Sequence, residues 1–178
     1  MGGSTRYVAL LRGVNLAGRN RVAMPALRDA CDAIGCSDVS TYIQSGNVVL
    51  TSPLPAARLG AALEEAIAER LRVETTVVLR THRQLAAVLA GNPFPDADAK
   101  ELHVGFLTAR PGKAAVAALA DLSFPPDELA VGRAELYFRL PNGMGRSKLA
   151  AFPFERRLGL GLTMRNWRTV TKLHELSG

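Results

Sequence analysis

Short apolar runs and helically spaced apolar stripes alternate along the chain, and their order predicts a fold. Tyr7-Val8-Ala9-Leu10-Leu11 is an apolar run ending in Arg-Gly, in character a strand. Past a polar loop, Pro25 sits where a helix can begin. Met24, Leu27, Ala30, Cys31 and Ile34 then recur at helical spacing, which places Cys31 on a packing face, and Gly35 stops the stripe. Val39 to Ile43 and Val48 to Thr51 flank Gln44-Ser45-Gly46-Asn47, a hairpin with its glycine in the turn. Pro55 opens a second helix with Leu59, Leu63, Ala66 and Ile67 on one face, and Thr76 to Leu79 is the next strand. Thr81 and Gln84 form a capping box for a third helix through Leu85, Val88 and Leu89, ended by Gly91.

The second half repeats the order of elements without repeating residues. Leu102 to Leu107 reads as a strand and Ala114 to Leu122 as a helix. Leu129 to Val131 and Leu136 to Leu140 read as paired strands. Ser147 to Leu158 is expected as a helix closed by Gly159, Leu160 to Thr163 as a short strand, and Asn166 as the cap of a last helix. The expected fold is therefore α+β, built of two ferredoxin-like (βαββαβ) halves, each with an additional trailing helix. Gly91-Asn92-Pro93-Phe94-Pro95-Asp96 reads as the linker, which sets the halves at 1–91 and 92–178.

Composition narrows the class. Of 178 residues, 48% are hydrophobic and 21% charged, too apolar for a disordered chain, and no run approaches the roughly 20 apolar residues of a membrane span. The opening Met1 to Arg6 lacks the order of a secretory signal, and Gly2-Gly3-Ser4 resembles a linker. Two cysteines make neither a disulfide scaffold nor a cysteine-only zinc site, and His82, His103 and His174 lack metal-ligand spacing. A soluble cytoplasmic protein is expected.

Charge placement changes the picture more than its total. Net charge is +6, and Arg146, Lys148, Arg156, Arg157, Arg165, Arg168 and Lys172 against the single Glu155 account for all of it. Arg12, Arg19 and Arg21 form a second basic run, with no acid before Asp29. Runs of this kind are usually solvated faces. Here they lie among glycines and asparagines, in four polar segments.

The first, Arg12-Gly13-Val14-Asn15-Leu16-Ala17-Gly18-Arg19-Asn20-Arg21, follows a strand and matches neither a Walker A loop nor a dinucleotide fingerprint. Arg12 and Arg19 suit bidentate phosphate binding, with Asn15 and Asn20 as further donors, although such a loop can equally satisfy its own carbonyls. The second adds Gln44, Ser45 and Asn47 at a turn. In the third, Pro141 to Lys148, Ser147 is placed as the N-cap of a helix whose free amides, with Arg146 and Lys148, suit an anion. The fourth carries Arg165, Asn166 and Trp167. The indole either stacks on a base or packs with Val170 in the core. No catalytic triad, metalloprotease motif or paired carboxylates appear, and the residues leave any cofactor unknown.

Residues 7–20, 41–49, 92–94, 145–149 and 165–173 together resemble the motifs of DUF1697, a family of bacterial proteins of unknown function. The resemblance implies a cytoplasmic α+β protein of two related halves and supplies no reaction. The expectation drawn from the residues is a binder of a phosphorylated ligand, nucleotide or nucleic acid, in a basic cleft between the halves. One alternative is a small phosphate- or acyl-phosphate-processing enzyme using Arg12 and Asn47, by analogy with acylphosphatases. Another is a non-catalytic interaction module that self-associates or docks an acidic partner. The partner expected in the leading case is an anion, with no membrane involved.

Overall fold

A computed structural model describes residues 3–178, so Met1 and, of the linker-like Gly2-Gly3-Ser4, Gly2 lie outside the described residues. The elements are β1 (Thr5–Leu11), α1 (Met24–Ala33), β2 (Ser37–Tyr42), β3 (Asn47–Ser52), α2 (Ala56–Leu71), β4 (Val77–Thr81) and α3 (His82–Ala90). After an irregular stretch follow β5 (Leu102–Leu107), α4 (Lys113–Ala120), β6 (Glu128–Val131), β7 (Glu135–Arg139), a 3-10 turn (Met144–Arg146), α5 (Phe154–Leu158), β8 (Leu162–Asn166) and α6 (Trp167–Ser177). The fold is α+β. It divides into two compact units, Met1–Leu85 with Leu173–Gly178, and Ala86–Lys172, so the divisions fall within α3 and α6.

In the first unit the sheet order is β2-β3-β1-β4 and every neighbouring pair is antiparallel. Successive side chains of a strand point to opposite faces. Tyr7, Ala9 and Leu11 of β1, with Val48 and Leu50 of β3, therefore meet Leu27 and Cys31 of α1 and Leu59, Leu63 and Ile67 of α2 in one core. Val8, Leu10 and Val49, on the other face, are buried as well. Burial on both faces explains why 7–11 reads as an unbroken apolar run. In the second unit the order is β6-β7-β5-β8, again antiparallel throughout. Leu107, Leu136, Phe138 and Leu140 pack on Leu119, Leu149 and Phe154, with the Phe154 ring edge-on to Phe138 at 5.4 Å.

Local signals account for the helix ends. The Thr81 amide donates to Gln84 Oε1 (2.8 Å) and the Gln84 amide to Thr81 Oγ1 (3.2 Å), a reciprocal capping box. At the end of α1 the Cys36 amide donates to Cys31 O and the Gly35 amide to Asp32 O, with Gly35 at φ +81°. That cap characteristically brings its third-last helical residue onto the second residue beyond the cap, here the two cysteines. Both thiols are free and buried, and burial pushes Cys31 up to about 12.

Two expectations need correction. No helix spans Ser147–Leu158. Pro153 has no amide hydrogen to give and its ring collides with the carbonyl four residues back, so the chain turns irregularly and α5 starts only at Phe154. The strand expected at Leu160–Thr163 lies later, at Leu162–Asn166. Gly159 (φ +64°) caps α5, and Glu155 Oε1 accepts from the Leu162 amide at the strand's start. Among the described residues no helix is long and apolar enough to cross a membrane.

Candidate anion-binding loop surface

The segment after β1 is a built object. The Asn15 amide donates to Asn20 O (3.0 Å) and the Arg19 amide to Leu16 O (2.8 Å), so 15–20 is a miniature antiparallel ribbon. Its two central residues, Ala17 (φ +47°) and Gly18 (φ +78°), are both left-handed, as a tight two-residue hairpin turn requires. Asn15 (φ +53°) and Asn20 (φ +47°), at the ribbon's base, are also left-handed, and asparagine tolerates that region better than most residues.

Side-chain amides fasten the ribbon down. Asn15 Nδ2 donates to Val22 O (3.0 Å) and to Gln44 O (2.8 Å), while Asn15 Oδ1 accepts from the Val22 amide (2.8 Å). Asn20 Nδ2 donates to Gly13 O (3.0 Å). The ribbon is thus tied to the 43–46 hairpin, which is held to β1 by the Leu11 amide on Gly46 O (2.8 Å). Asn47, fully buried, donates through Nδ2 to Tyr42 O (3.1 Å) and Ser45 Oγ (2.8 Å). The asparagines expected to read a ligand instead shape the surface. Replacing Asn15 by Asp turns both donors into an oxygen facing two carbonyls. Asn15→Asp is expected to lower stability by about 1 kcal/mol, the low end for unmet polar groups because the site is half-exposed, with faster amide exchange at Val22 as the check.

What this frame presents outward is basic and apolar. Arg12, Arg19, Arg21 and Gln44 are exposed, and Ser45 is half-buried. Two large apolar side chains join them: Leu16 is 62% and Ile43 51% exposed. Ile43 has φ +49°, an outlier for a β-branched residue that costs on the order of 1–3 kcal/mol. Strain of that kind persists only where the surroundings impose it. Sequence reasoning noted Arg21 only as part of the basic run and passed over Leu16 and Ile43. A leucine within the polar segment 12–21 and an isoleucine immediately before Gln44-Ser45-Gly46-Asn47 were the available signal.

The remaining expected residues lie in the second unit. Arg146 and Lys148 are exposed. Ser147 is buried between them, donating to Asp127 Oδ2 (2.7 Å) and accepting from the Ala150 amide (2.8 Å), so it closes a turn where a helix N-terminus was expected. Asn166 does cap α6, its Oδ1 accepting from the Thr169 amide (2.8 Å). Trp167 is half-buried at the start of that helix. Arg165 is buried, with Nη1 on Thr163 Oγ1 and Met164 O (2.8 Å each), and burial pulls its guanidinium down to about 10. Arg80 is its counterpart in the first unit: also the fourth residue of its strand, also buried, also bonded to the preceding carbonyl (2.9 Å). A cavity of about 130 Å³ lined by Ala115, Leu119, Leu122, Phe152 and Leu158 has one cation at its wall, Arg157, whose guanidinium lies 5.9 Å from the centre of the Phe152 ring.

Known proteins add the following. The family described as "Protein of unknown function (DUF1697)" matches residues 4–137, a range that contains both the ribbon and the hairpin. The solved structure of the conserved bacterial protein SP0830 from Streptococcus pneumoniae is similar over 99% of this chain and 100% of that one. The two share 25% identity, with a TM-score of 0.78. No curated protein matches the sequence.

Proposed function

The chain belongs to the DUF1697 family, and from that starting point we propose that it binds a phosphorylated ligand, nucleotide or nucleic acid, on the ribbon and hairpin of its first unit. One observation carries this reading: a hydrogen-bonded frame holds Arg12, Arg19 and Arg21 outward on a stretch of chain with no acidic residue before Asp29. Guanidinium groups recognise phosphate oxygens through paired N–H donors, and a frame ordered in advance lowers the entropy lost on binding. Gln44 and Ser45 supply polar donors beside them. Arg146 and Lys148, in the second unit, offer further exposed cations to a polymer. Asn15, Asn20 and Asn47 hold the frame together, and the phosphate-processing alternative needs Asn47, which is fully buried, on a ligand.

We also read each unit as ferredoxin-like. The order of elements and the strand orders β2-β3-β1-β4 and β6-β7-β5-β8, antiparallel throughout, support this. A cytoplasmic setting fits two buried thiols left unpaired.

The test is fluorescence anisotropy with an end-labelled duplex DNA, the same RNA sequence and a labelled ATP analogue, each at 50 and 200 mM salt. Three phosphate contacts predict a weakening of duplex binding by about 40-fold across that interval, because bound cations release counterions. A nucleotide alone is expected to bind with a shallower dependence. No binding of any of the three probes at 50 mM salt rejects the reading.

A further inference from the structure

Resting on that reading, we infer that the ligand is a nucleic-acid duplex, and that Leu16 and Ile43 act as a pair of apolar wedges that part its stacked bases. The two residues flank a single hydrogen bond: Leu16 follows Asn15 and Ile43 precedes Gln44, and Asn15 Nδ2 holds Gln44 O at 2.8 Å. Both side chains are more than half exposed, at 62% and 51%, although nearly every other large apolar residue is at least partly buried. Neither exposure is incidental to the backbone. Leu16 stands at the edge of a two-residue turn made by left-handed Ala17 and Gly18, its carbonyl accepting from the Arg19 amide. Ile43 is held in a left-handed conformation that a β-branched residue otherwise avoids.

The company these residues keep selects the partner. Arg12, Arg19 and Arg21 come without nearby acids in sequence, and charge of one sign fits the uniformly negative backbone of a nucleic acid. Arginines and amides beside exposed Leu or Ile are the combination by which proteins enter a minor groove, insert apolar side chains between base steps and kink the duplex. A small antiparallel ribbon is also an element that fits a groove. The arginines would hold the flanking phosphates while the two aliphatic tips take the place of base–base contact. Pyrimidine–purine steps, which unstack most readily, are the expected sites.

The experiment uses a 12-base-pair alternating T·A duplex carrying 2-aminopurine at its central T–A steps, whose fluorescence rises on unstacking, with anisotropy read on the same samples. Wild-type protein at 50 mM salt is expected to raise the 2-aminopurine signal at least 2-fold at saturation. The variant Leu16→Ala/Ile43→Gly should still bind with the wild-type salt dependence while the rise disappears. Its melting temperature should be no lower than wild type, because glycine accepts the left-handed backbone at 43, which shows that the loss is not misfolding. Wild-type binding without a fluorescence rise, or an undiminished rise with the variant, overturns the wedge and leaves phosphate binding standing. Salt-independent binding overturns it in favour of a different contact. Absence of duplex binding removes the wedge, and the ATP-analogue arm of the anisotropy titration then shows separately whether phosphate binding survives.

Discussion

Gly46→Ala is expected to destabilise the first unit by about 3 kcal/mol and to abolish duplex binding. A Cβ at Gly46 falls 2.5 Å from Val14 Cγ2 and 2.8 Å from Leu11 Cβ, and both neighbours are themselves buried. Overpacking of that kind typically costs about 1–3 kcal/mol. The residue also sits at φ +74°, where any L-residue pays roughly 1–2 kcal/mol more. The position is where the hairpin's carbonyl receives the Leu11 amide and where Val14, leading into the ribbon, packs down. Pushing them apart therefore dislocates both halves of the binding frame at once. Urea unfolding measures the first effect, as a lowered midpoint at unchanged slope. Gly13→Ala provides the contrast. Gly13 shares a left-handed φ of +67° but has no atom within 4 Å of a built Cβ, so only the backbone cost of about 1–2 kcal/mol applies there.

Arg12→Ala/Arg19→Ala/Arg21→Ala is expected to act on binding and leave folding nearly untouched. All three side chains are exposed, so the cost to stability should stay within about 0.5 kcal/mol per site. Each phosphate contact adds about 0.9 to the slope of log affinity against log salt for duplex DNA. Removing three contacts should flatten that slope by about 2.7 and weaken binding most at low salt. Arg156→Ala/Arg157→Ala/Arg168→Ala removes the same three charges from exposed positions of the second unit and serves as the control for net charge alone. If the control weakens binding as much as the triple substitution does, attraction is diffuse and the loop has no special part in it.

Much of the fold could be read from the chain because the signals were local. The capping box at Thr81 and Gln84, the glycine ending α1 and the proline before α2 each correspond to a hydrogen bond or backbone constraint within a few residues. The misplaced helix at Ser147–Leu158 shows where pattern reading breaks down. Ser147 as a cap and Gly159 as a stop suggest one helix between them, but Pro153 forbids the hydrogen bonds such a helix needs, and the covalent rule outweighs the end signals.

The site was legible in outline only. Composition marked Arg12, Asn15, Arg19, Asn20 and Gln44 as candidates, and the structure ties the ribbon that carries Asn15 to the hairpin that carries Gln44. Roles were harder, because an asparagine that reads a ligand and one that satisfies a carbonyl look the same in sequence. Only the three bonds of Asn15 and the burial of Asn47 distinguish them. Arg165 illustrates the same limit: a basic residue in a polar motif proves to be buried, at 8% exposure, with Nη1 on Thr163 Oγ1. Leu16 and Ile43 escaped notice because exposure of an apolar side chain depends on the left-handed turns around it, which sequence spacing does not encode.

The most direct measurement is a backbone-amide NMR titration of the protein with an unlabelled 12-base-pair duplex at 50 mM salt. Binding by the ribbon and hairpin predicts that the largest shift changes fall at 12–21 and 43–46 and vanish in the triple arginine variant. Shift changes confined to other segments, with 12–21 and 43–46 unmoved at saturating duplex, would contradict it.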